Sequence, residues 1–77
     1  MTKEENLLLA DKLRQKIYEL RKKGYMFKIY CSVVNYSSTR FYNFMTKGYK
    51  MSDGNLLLLK SWIEDNLGES IDAGSDV

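Results

Sequence analysis

Four short helices packed as an all-α domain are the fold class this sequence predicts, on three observations. The chain has no proline in 77 residues, so the commonest interruption of a helix is missing. Apolar residues recur three and four apart in two long segments, Leu9-Leu13-Ile17-Leu20 and Leu56-Leu59-Ile63-Leu67, which is the spacing of a buried helical stripe. Residues that start or stop helices bound each candidate segment: Thr2, Ser37 or Ser38, and Ser52 before, and Gly24, Asn35, Gly48 and Gly68 after.

The first helix is expected from Thr2 to Lys23. Thr2 is a plausible N-cap with Glu5 as its capping-box partner, Gly24 is the stop, and Leu8 or Ala10 widens the apolar stripe. Tyr25 to Val34 is ambiguous: Phe27, Ile29 and Cys31 alternate with Lys28, Tyr30 and Ser32 as in a strand, while Tyr30, Cys31, Val33 and Val34 would cover one face of a helix. A run this short is not decided by periodicity. A helix is preferred because its neighbours are helical and no second strand is available to pair with it, with a small β-hairpin as the variant. After the turn Asn35-Tyr36-Ser37, a helix of about ten residues runs to Lys47 with Phe41, Phe44 and Met45 inward. A last helix begins after Ser52 with Asp53 in its first turn and ends at Gly68. Residues 1–68 are thus expected to form one domain, and 69–77 a disordered acidic tail.

A chain this short supports one core and argues against a deep enzyme cleft. Its 44% hydrophobic and 29% charged residues mark it as globular. There is no histidine and only one cysteine, Cys31, which excludes an internal disulfide and leaves a zinc site almost wholly to carboxylates. No metal, cofactor or catalytic constellation is expected, so the chain reads as a non-enzyme. No stretch approaches the roughly 20 apolar residues that span a membrane, and the N-terminus does not resemble a signal peptide, so a cytoplasmic location is expected. Charge is strongly segregated: residues 1–50 carry eleven Lys/Arg against four acids, and residues 51–77 carry Lys60 against six acids. A basic body with an acidic end fits a polyanionic partner on one side, although uneven surface charge is also common in small domains.

Helical geometry leaves Ser38, Thr39, Tyr42 and Asn43 outside when Phe41, Phe44 and Met45 turn inward. Short polar side chains on one helix face suit base edges in a major groove. Lys28, Ser37, Arg40, Lys47 and Lys50 are the candidate phosphate contacts around them. The plain alternative is the solvated face of a small helix.

The segment LRKKGYMFKIYCSVVNYSSTRFYNFMTKGYKMSDGNLLLLKSWI resembles the helix-turn-helix domain of the phage repressor and Cro type, the Xre-like family, over about residues 20 to 67. Cys31 stands where that family has its small residue, Asn35 where it has the turn glycine, and Tyr36 where it usually has Val. Ser37 keeps the Ser/Thr cap, Phe41 and Phe44 keep the two apolar positions, and Thr46-Lys47-Gly48 resembles the Asn-Gly-Lys ending. Met26-Phe27-Lys28-Ile29 replaces the usual polar start of the second helix. The resemblance implies a transcription regulator of phage or plasmid type, working in a bacterial or phage-infected cell. It also implies that Ser38, Thr39 and Asn43 read bases of double-stranded DNA.

A single small module binds DNA weakly, so a homodimer on a palindromic site is expected. Leu57, Leu58 and Trp62, beside or off the stripe of the last helix, are the candidate dimer contacts, and completing the core is an equal role for Trp62. An alternative function is a protein-binding adaptor or inhibitor built on the same scaffold. It draws on six Tyr, three Phe and one Trp, and on Phe27 and Ile29 as partner contacts where the family is polar.

Overall fold

The computed structural model describes residues 1–71, and its order is α1 (Lys3–Lys22), α2 (Lys28–Val34), α3 (Ser38–Lys47) and α4 (Asp53–Leu67). No strand occurs among the described residues, so the hairpin variant for Tyr25 to Val34 is overturned. The helix that forms there is shorter than expected, because the end of α1 occupies part of the segment. Gly24, at φ 103°, donates its N–H to the Arg21 carbonyl, and Tyr25 donates to Leu20, both at 3.0 Å. These two bonds are those of a Schellman ending, in which a glycine takes the left-handed position.

Local chemistry sets the other boundaries. The Thr2 hydroxyl accepts the Glu5 N–H at 3.1 Å, and the Glu5 carboxylate accepts the Thr2 N–H at 2.7 Å, completing a capping box. Ser37 and Ser52 cap α3 and α4 by accepting the N–H of Arg40 and of Asn55. Asn35 ends α2 at φ 57°, a conformation asparagine tolerates better than most residues. Its N–H and that of Tyr36 both reach the Cys31 carbonyl.

Packing follows the apolar stripes. Helix α1 lies along α4, and α2 packs on both α4 and α3. The two long helices run in the same direction: Asn6 reaches Asp53 at their starts, while Lys23, just past α1, reaches Glu69, just past α4. Leu13, Ile17, Leu20, Leu56, Leu59 and Ile63 are fully buried between them. Over this aliphatic layer sits a group of rings. Phe41 stacks on Tyr30 at 5.8 Å and meets Phe27 and Phe44 edgewise or tilted, and Tyr30 meets Trp62 edge-on.

The acidic end departs from expectation. Residues 69–71 are not a free tail: Ile71 is buried in the core, its N–H is accepted by the Glu64 carboxylate at 3.3 Å, and Glu69 pairs with Lys16 and Lys23. These neighbours hold both carboxyls below their ordinary pKa, through hydrogen bonds from Lys60 for Glu64 and from Lys16 for Glu69. Burial of the Ile71 side chain draws the chain back onto the core. The domain therefore extends at least to Ile71, and the rest of the expected tail, 72–77, lies outside the described residues.

Tyr30 is a polar residue without compensation. It is fully buried, which pushes its pKa up to about 12, and its hydroxyl has no hydrogen-bond partner among the described residues. An unsatisfied buried hydroxyl costs about 1–3 kcal/mol. Tyr30→Phe is therefore expected to stabilise the domain by about 1 kcal/mol in urea unfolding, and a loss of stability would mean that the hydroxyl is in fact satisfied.

Candidate nucleic-acid interface

The short helix α3 is held at both ends. Its start is capped by Ser37, and its last carbonyls are taken by side chains of α1: Arg14 Nε donates to the Phe44 carbonyl at 2.7 Å, and the Tyr18 hydroxyl donates to Met45 at 3.3 Å. The last carbonyls of a helix have no partner within it, so these bonds fix its orientation on the domain. The Arg14 guanidinium also lies 4.3 Å over the Phe44 ring and donates to the Tyr49 carbonyl, which ties down the segment after α3.

With Phe41, Phe44 and Met45 buried, Ser38, Thr39, Tyr42, Thr46 and Lys47 are exposed and Asn43 is half-buried. Four of these, Ser38, Thr39, Tyr42 and Asn43, are the residues expected to face bases, and they share one helix. The candidate phosphate residues divide between its two sides. Lys28, at the start of α2, lines an apolar groove of about 650 Å³ together with Arg21, Met26, Phe27, Cys31, Ser38, Thr39 and Tyr42. On the other side Arg40 lies 4.0 Å over the Tyr36 ring, and both border a second groove with Lys50 and Tyr49. Ser37 is exposed, with its oxygen already engaged as the cap.

The expected interface residues separate into two groups. Phe27 packs between Tyr18 and Phe41 beneath the Arg21 guanidinium, and Ile29 and Trp62 are half-buried against the core. These three help to build the domain. Leu57 and Leu58, each about half exposed, stand on α4 outside both grooves.

Sequence reasoning missed Arg14 and Tyr18 as positioning residues and Arg21 as a wall of the groove. Their spacing of four and three along α1 places them on one flank of that helix, and this stripe was the available signal. The segregation of charge read from the sequence is sharpest here: no Asp or Glu lies between Glu19 and Asp53, while Arg21, Lys22, Lys23, Lys28, Arg40, Lys47 and Lys50 do.

Cys31 offers no evident chemistry beyond packing. Burial raises its pKa, and its thiol points to the Phe27 carbonyl at 3.7 Å. Among the described residues, no group of three His, Cys, Asp or Glu is placed to hold a metal ion, and no helix is long and apolar enough to cross a membrane. Comparison with protein-family profiles, curated proteins and solved structures finds no match to this chain.

Proposed function

We propose that the chain is a sequence-specific double-stranded DNA-binding transcription regulator in which α2, the turn at Asn35 and α3 act as a helix-turn-helix, with α3 in the major groove. One observation carries this reading: the polar, carboxylate-free face of α3 is bounded by cations on both sides, Lys28 on one and Arg40 and Lys50 on the other. A helix entering a major groove runs between two phosphate backbones, so its reading face needs positive charge along both edges. A merely solvated helix has no reason to keep carboxylates off its own exposed face. The regulator acts as a homodimer on a palindromic site, with Leu57 and Leu58 as the contacts between copies.

The test is binding to random duplexes over a range of salt, with wild type, Lys47→Ala and Asn43→Ala. Loss of the Lys47 phosphate contact lowers the slope of log affinity against log salt by about one, while loss of Asn43 relaxes sequence preference at similar slope. DNA binding that neither substitution alters contradicts the placement of α3.

A second reading, a protein-binding adaptor or inhibitor, is favoured by the exposed Leu57 and Leu58 and by the apolar lining of the groove beside α3. A single protein retained by the chain after nuclease treatment, with no duplex bound at low salt, supports it over DNA.

A further inference from the structure

The DNA-binding reading leaves the identity of the bases open, and the chemistry of α3 narrows it. In the major groove guanine is read by Arg or Lys, cytosine by Asp or Glu, adenine by Asn or Gln, and thymine through apolar contact with its methyl group. No carboxylate is present on α3 itself to read cytosine, and Asp53, which borders a groove with Arg40 and Lys50, is engaged by the Asn6 amide and the N-terminal ammonium. The single arginine of the helix, Arg40, is stacked on Tyr36 at one edge, with its guanidinium 4.0 Å from the ring centre. Lys47 stands in the last turn, beyond the N-terminal residues that a recognition helix presents to bases.

What remains on the reading face suits adenine and thymine. Asn43 engages none of its side-chain atoms in the hydrogen bonds found among the described residues, so its carbonyl and amide are available as the pair that matches adenine N7 and N6. Thr46, in the last turn, donates its hydroxyl proton to the Tyr42 carbonyl at 2.8 Å, so its hydroxyl proton is already engaged. Tyr42 and Met26, both more than half exposed, border the apolar groove of about 650 Å³ whose other walls include Phe27 and Cys31. The apolar part of this wall, Met26, Phe27 and the Tyr42 ring, accepts a methyl group. Lys28 and Arg21 at its rim supply the charge that keeps a DNA strand there.

We infer that α3 reads an A·T core, with Asn43 taking adenine and the Tyr42–Met26 wall taking the 5-methyl group of thymine. This rests on the DNA-binding reading and goes beyond it by naming the bases.

The experiment is selection of duplexes by the full chain from a random pool, followed by single-position replacement of thymine with deoxyuridine and adenine with 7-deazaadenine in the selected site. An A·T core is expected. At one position, removal of the thymine methyl weakens wild type by about fourfold, the equivalent of one buried CH₂, and leaves the already weaker Tyr42→Ala unaffected. At another, loss of adenine N7 weakens wild type and not Asn43→Ala. A selected G·C core, or uridine duplexes that bind as tightly as thymine ones at every position, overturns the inference and leaves DNA binding standing. Failure to retain any duplex at low salt overturns both.

Discussion

Phe41→Ala is expected to lower the stability of this domain by about 3–5 kcal/mol, the cost of emptying a large aromatic site in a core. Phe41 is fully buried and is the ring on which the others converge, with Tyr30, Phe27 and Phe44 within 6.0 Å of it. Each aromatic pair adds about 0.5–1.5 kcal/mol beyond area burial, which places the effect toward the upper end. A domain of this length has a total stability of about 4–12 kcal/mol, so a large part of the folded state is at stake. Urea unfolding followed by tryptophan fluorescence suits the measurement, because Trp62 lies edge-on to Tyr30 in the same ring group. A cost below about 1.5 kcal/mol, the range of a tolerated swap, would mean that α3 is not anchored through this ring. On the DNA-binding proposal the link to function is direct: Phe41 lies between Thr39 and Tyr42, two of the residues proposed to face bases, and its seating sets the direction in which they point.

The second large effect concerns binding. On the DNA-binding proposal, Lys28→Glu combined with Arg40→Glu is expected to reduce affinity for any duplex by about a hundredfold or more, because each reversal would remove a proposed phosphate contact and set a carboxylate against the backbone. The salt slope becomes shallower by about two, since two counterion-releasing contacts are lost. Both residues are exposed and make no ion pair among the described residues. Folding changes little, apart from about 0.5–1 kcal/mol for the lost Arg40–Tyr36 stack. Circular dichroism and thermal melting separate the two effects. An unchanged affinity in a folded double variant means that the two flanks of α3 do not meet phosphates.

The parts of the fold legible from sequence were those that depend on a few neighbouring residues. Thr2 with Glu5, Ser37, Ser52, Gly48 and Gly68 act within one turn of where they stand, and the stripes of α1 and α4 follow from helical periodicity alone. Asn35 belongs with them, since its left-handed backbone is a local property. The start of α2 was misplaced because Tyr25 satisfies a carbonyl of the preceding helix, which a reading of Tyr25 to Val34 by itself does not contain.

Features set by distant contacts were harder to see. Ile71 looked like tail because Gly68, Glu69 and Ser70 precede it, and only the tertiary arrangement supplies Glu64 and the core to receive it. Phe27, Ile29 and Trp62 are apolar in either role, so their types do not distinguish a core from an interface; the rings of Tyr18, Tyr30 and Phe41 decide it. Within the candidate site, the outer face of α3 followed from the inward positions of Phe41, Phe44 and Met45. Arg14 and Tyr18 stand 30 and 27 residues from the carbonyls they bind, and no local pattern announces that pairing.

The placement of α3 is tested most directly by residue-resolved NMR of the labelled full chain titrated with a duplex it retains from a random pool. With a duplex cut to a single half-site, this placement predicts the largest amide shifts at Lys28 and along Ser37 to Lys50, with α4 around Leu57 and Leu58 little affected. Shifts centred on Leu57 and Leu58, with Thr39, Tyr42 and Asn43 unmoved, would contradict it.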